Sequence, residues 1–103
     1  LYQTSKEELI SEIAFYRDSQ EVYYQSKSIS LTKREFDLLY LLAKNENRIF
    51  SAEELYDYLY PISSDVQLRS ITEYIYQIRQ KFKAHQIDPI KTVWGGGYKW
   101  QRK

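Results

Sequence analysis

Cysteine is absent, which excludes disulfides, thiolate metal sites and a cysteine nucleophile. Histidine occurs once, at His85, so a histidine-built metal centre is not expected either. Three glycines and two prolines in 103 residues are too few for a disordered or low-complexity tail. No apolar run approaches the ~20 residues a membrane span needs. The longest, Leu38 to Ala43, is mid-chain and too short for the apolar region of a signal peptide. Paired carboxylates and a phosphate-cradling loop are missing too: Gly95-Gly96-Gly97 opens no helix and lacks nucleotide-loop spacing. Ser63 and Ser64 have no accompanying base and read as helix caps or loop, not nucleophiles. The expectation is a non-enzyme with no catalytic residue, cofactor or metal. Methionine is absent even at position 1, so the chain reads as a piece of something longer.

What is present fits one small domain. A chain of 103 residues can bury roughly two thirds of its unfolded surface, enough for a single core. The net charge of +1 hides an asymmetry. Residues 1–65 hold seven Lys/Arg against twelve Asp/Glu, or −5, whereas residues 66–103 hold eight against two, or +6. A basic C-terminal third on an acidic chain is the footprint of a polyanionic partner. Eleven tyrosines add amphipathic side chains, most of them expected to be half-buried.

Residues 1–8 are weakly patterned and read as a linker remnant, with the domain spanning 9–103. An antiparallel sheet is expected over 9–31. Its strands run from Ile10 to Tyr16, Glu21 to Gln25 and Ser28 to Leu31, with turns at Asp18-Ser19-Gln20 and Ser26-Lys27. The period then changes. Thr32 and Glu35 form a capping box, as do Ser51 and Glu54, opening helices over about 33–45 and 52–60. Ile49-Phe50 between them has room only for a bridge strand. Pro61 ends the second helix. Ile71, Ile75, Ile78 and Phe82 then recur at helical spacing and mark the buried face of a third helix over about 66–84. Its opposite face carries Arg69, Glu73, Tyr76, Gln77, Gln80 and Lys83. Ile90 to Val93 and Tyr98 to Gln101 flank a glycine turn, predicting a hairpin over 90–101. His85, near a helix C-terminus, is given no role.

The predicted class is therefore α+β: an N-terminal antiparallel β-sheet, three helices and a C-terminal β-hairpin. Two helices joined by a short loop and followed by a basic hairpin make a winged helix-turn-helix. Its exposed polar helix face fits the major groove of DNA, and its hairpin reaches the flanking backbone or minor groove.

The run from Leu31 to Leu39 resembles the LT-x-x-EF-x-LL start of OmpR/PhoB-type effector domains of bacterial two-component response regulators. Arg69-Ser70-Ile71 resembles the start of their recognition helix, and Ile78-Arg79 its end. Ile90 to Tyr98 resembles their I-x-TV-x-G-x-GY wing. These pieces match in order from about Ile10 to Trp100. The resemblance implies a cytoplasmic transcription regulator that binds double-stranded DNA in sequence-specific fashion. It also implies a tandem dimer on a direct repeat, and a phosphorylatable N-terminal receiver domain not contained in this chain. Contact with RNA polymerase would run through loop 61–65. Glu73, Tyr76 and Gln77 match positions that face base edges. Tyr60, Arg69, Ser70, Tyr74, Arg79 and Tyr98 match positions that contact the DNA backbone. Thr92, Trp94, Gly95 and Lys99 fall in the wing.

Two departures stand out. Trp94 occupies the wing turn where many members carry arginine, and an indole cannot supply the charge a narrow minor groove attracts. Trp94 is expected either to face DNA or to pack on the hairpin. The base-reading face is also not basic: Glu73 can accept from cytosine and Gln77 can pair with adenine, but Glu73 repels phosphates. An alternative reading is therefore a winged helix that docks a protein through its polar 69–83 face. Steep salt dependence separates DNA binding from that alternative.

Overall fold

The computed structural model describes residues 6–61 and 69–101, with the side chain of Arg69 outside that set. Four short strands, β1 (Glu7–Ile10), β2 (Ile13–Tyr16), β3 (Glu21–Tyr24) and β4 (Lys27–Ile29), form an antiparallel meander in that spatial order. The helices α1 (Lys33–Lys44), α2 (Ala52–Leu59) and α3 (Arg69–Lys83) follow, and β5 (Ile90–Val93) pairs with β6 (Gly97–Trp100). The winged helix-turn-helix layout is the expected one. The expected start of α3 at residue 66, like most of loop 61–65, lies outside the described residues.

The sheet departs from expectation at its beginning. The stretch read as a linker contains the start of β1, and the strand expected over 10–16 is two strands, paired Leu9↔Ala14 and Ile10↔Ile13. Ser11 and Glu12 turn the chain with φ of 49° and 71°. Two consecutive left-handed residues make the tight connection that matches strand twist, and usually fall to Gly, Asn or Asp. The turn between β3 and β4 falls on Gln25 and Ser26, with φ of 51° and 66°, one residue earlier than expected. The inner face of the sheet carries Ile13, Phe15, Val22, Tyr24 and Ile29, all buried.

Both capping boxes form. Thr32 and Ser51 accept from the backbone N–H of Glu35 and Glu54, whose carboxylates reach back to the cap N–H groups. The core joins all layers: Phe15 meets Phe36 and Trp100 edge-on or tilted, at ring-centroid distances of 5.9 and 6.2 Å. Leu38, Leu39 and Leu42 from α1 pack with Leu55 and Leu59 from α2 and with the Ile71, Ile75, Ile78 and Phe82 row of α3. Buried Trp100 satisfies its indole N–H by donating to Ser11 Oγ at 3.0 Å, which ties the last strand to the first turn.

Candidate nucleic-acid interface

Burial of the isoleucine row fixes what α3 can show to solvent. Glu73, Tyr76, Gln80 and Lys83 are exposed, with Gln77 and Tyr74 half-buried along the flanks. Gln77 Nε2 donates to Glu73 Oε2 at 2.9 Å, an i,i+4 pair. That bond leaves Gln77 one amide proton and its carbonyl oxygen for a further partner. It also directs part of the Glu73 charge to a neutral neighbour. Tyr76 stands beside the pair, 55% exposed.

The next layer lies where α2 meets α3. Tyr60, at the C-cap of α2, shares a 2.5 Å hydrogen bond between hydroxyls with Tyr74 of α3. Burial, then the bond to Tyr60, push the Tyr74 hydroxyl up to about 12. Only one proton lies between the two oxygens, so the accepting tyrosine keeps its own proton for another acceptor. Arg34 of α1 lies over the Tyr60 ring, 4.4 Å from its centroid, and donates through Nη1 to the Leu59 carbonyl. Sequence reasoning gave Arg34 no role beyond its place in the first capping box, because its partner carbonyl lies 25 residues away.

Two of the residues expected to contact the DNA backbone sit inside the fold's own surface. The Ser70 Oγ is shielded from solvent and has no hydrogen-bond partner among the described residues. Arg79 turns inward: Nη2 donates to the Ile90 carbonyl at 2.6 Å and Nε to Asp88 Oδ1 at 3.3 Å. It clamps the end of α3 to the first strand of the wing. Lys81 is also committed, to the buried Glu35 carboxylate at 2.6 Å.

The wing is fastened at a second point. Phe50 and Tyr98 exchange both backbone hydrogen bonds at 2.8 Å, so the bridge expected at Ile49-Phe50 forms against β6. Gly97 makes this approach possible: at φ of 130°, a β-carbon there would sit 2.0 Å from the Phe50 carbonyl oxygen. Thr92 pairs with half-buried Tyr98, and Lys91 pairs directly with Lys99. Like charges opposite one another are mutually repulsive. Neither lysine, nor Lys83, has an ion-pair partner among the described residues. At the turn, Trp94 is 92% exposed and does not pack on the hairpin. Gly95 follows with φ of 81°.

Residues 26–100 match the family described as "Transcriptional regulatory protein, C terminal". The chain belongs to this OmpR/PhoB-type family. Curated relatives of this OmpR/PhoB-type domain include the transcriptional regulatory protein SpaR of Bacillus subtilis. It is 43% identical over 93 residues, which are 90% of this chain and 42% of SpaR. The nisin biosynthesis regulatory protein NisR of Lactococcus lactis subsp. lactis is 46% identical over 88 residues, 85% of this chain and 38% of NisR. The chain thus spans about two fifths of the length of these relatives. Among solved structures, the DNA-binding domain of Klebsiella pneumoniae RstA, determined in complex with its RstA box, superposes with a TM-score of 0.77 at 25% identity. The match covers 92% of this chain and 96% of that one. The OmpR/PhoB-type fold is therefore shared across the whole winged helix, and its family is one of transcription regulators rather than enzymes.

Proposed function

We propose that this domain is the DNA-binding effector part of a response regulator and recognises double-stranded DNA in a sequence-dependent manner. The observation that carries the reading is the polar outer face of α3, lying beside a hairpin whose lysines have no ion-pair partner among the described residues. In this reading α3 enters the major groove. Gln77, with Glu73 holding one of its amide protons, and Tyr76 face the base edges. Arg69, Tyr98 and the hydroxyl pair Tyr60–Tyr74 face phosphates. Ser70 and Arg79 keep the backbone-facing assignment that the resemblance gives them, Arg79 while also clamping α3 to the wing. The wing residues Thr92, Trp94, Gly95 and Lys99 lie over the flanking groove. A receiver domain elsewhere in the protein brings two copies head-to-tail on a direct repeat, loop 61–65 faces RNA polymerase, and the protein acts in the cytoplasm. The RstA domain, solved on its box DNA, supports the DNA partner by analogy.

Selection of duplexes from a random pool, at low and moderate salt, tests this. The expected result is an enriched motif spanning about half a helical turn or more, with affinity falling as salt rises. Binding that is insensitive to salt, or no enrichment even at low salt, would replace DNA by a protein partner of the 69–83 face.

A further inference from the structure

The wing ends in an apolar point. Val93 pairs with Gly97, so Trp94, Gly95 and Gly96 form the turn, closed by the Gly96 N–H donating to the Val93 carbonyl at 2.9 Å. Trp94 is the one large side chain of that turn. It is 92% exposed, and no residue of the turn is charged. Nothing lies within 4 Å of the space beside Gly95, while Gly96 lies against Val93 and Ile49, so the tip is apolar and open on the Gly95 side. Such a tip fits a minor groove about 6 Å wide.

The hairpin stem indicates what Trp94 meets. Directly paired Lys91 and Lys99 repel each other until an anion sits between or beside them. An anionic surface relieves that repulsion, and where it is the phosphate backbone of the proposed DNA partner, a side chain projecting past the stem meets the groove beside it. An uncharged indole gains nothing from the negative potential of a narrow groove. It gains from stacking and from apolar contact with sugars and partly unstacked bases. We infer that Trp94 is a specificity-determining residue that wedges against a flexible pyrimidine–purine step beside the major-groove site, so that the wing reads deformability in place of charge. This rests on the DNA-binding reading above.

The test uses the duplex recovered by selection, rebuilt with TA, CA/TG, AA/TT or GG/CC at the steps flanking its motif. The expected result is a preference of about five- to tenfold for TA or CA/TG flanks, lost in Trp94→Ala. Trp94→Arg should shift the preference to A-tract flanks and steepen the salt dependence by about one phosphate contact. Tryptophan emission gives an independent readout, since the second tryptophan, Trp100, is 1% exposed. Acrylamide quenching of the free domain should report mainly Trp94 and should fall sharply on the duplex. A bound domain that keeps full quenching, or a flank preference that survives Trp94→Ala, overturns the wedge while leaving DNA binding in place. A domain that binds none of the duplexes overturns the DNA reading and the wedge together.

Discussion

Gly97 shows how much one missing side chain decides. Its φ of 130° and its approach to the Phe50 carbonyl leave no room for a β-carbon. Gly97→Ala should cost about 1–3 kcal/mol or more. The thermal midpoint of a domain this size should fall by roughly 4–8 °C for each kcal/mol lost. Gly95→Ala, where nothing is near, should lower it less. Equal midpoints for the two variants would contradict the close approach. At the reading face, Gln77→Ala should relax selection at one base position, whereas Arg69→Ala should weaken all sequences alike. Repeating the selection with each variant checks this, and an unchanged logo for Gln77→Ala would remove that residue from base readout.

Between elements, the joints are made by polar side chains that span long stretches of sequence. The Tyr60–Tyr74 hydroxyl pair joins α2 to α3, and folding holds the Tyr74 proton up to about 12. An unfolded tyrosine releases its proton near pH 10. The stability carried by this proton is therefore complete below about pH 10 and is lost as pH rises through about 12. Tyr74→Phe should flatten the loss of stability across that window in denaturant titrations. Tyr16 and Tyr40, also raised by burial, and Lys44, raised by its bond to Glu8, contribute to the slope that remains. An unaltered slope would detach Tyr74 from the alkaline transition. Lys81→Ala would leave the Glu35 carboxylate buried without its cation, at a cost of about 1–3 kcal/mol given that Lys81 is itself partly exposed. Calorimetry of this variant measures that directly. These joints also mark where the sequence was hard to read. The capping boxes and the isoleucine row were legible because cause and effect lie within one helical turn. The Ser11-Glu12 turn was not, because neither residue advertises a left-handed backbone. The Glu35–Lys81 and Arg34–Leu59 contacts were not, because their partners lie 46 and 25 residues apart. The bonds of Arg79 to Asp88 and Ile90 were not legible for the same reason: a helix arginine looks alike in sequence whether it meets a phosphate or a carbonyl.

For the whole molecule, the basic third is less available than its formal +6 suggests. Arg79 and Lys81 are neutralised inside the fold, which leaves Lys83, Lys91 and Lys99 among the described residues for phosphates. Lys91→Gln and Lys99→Gln should each reduce the slope of log affinity against log salt by about 0.9 without changing the selected motif. A slope that stays put would detach the hairpin stem from the backbone. The wing, meanwhile, is held at both ends of its base, by Arg79 to α3 and by the Phe50–Tyr98 bridge to the segment ahead of α2. Helix and hairpin therefore behave as the two jaws of a fixed caliper. Its span is set by these two anchors. In the proposed reading, inserting one base pair between the motif and the flank met by the wing rotates that flank by about a tenth of a turn and should weaken binding, so that spacing alone tunes affinity with every contacted base left intact.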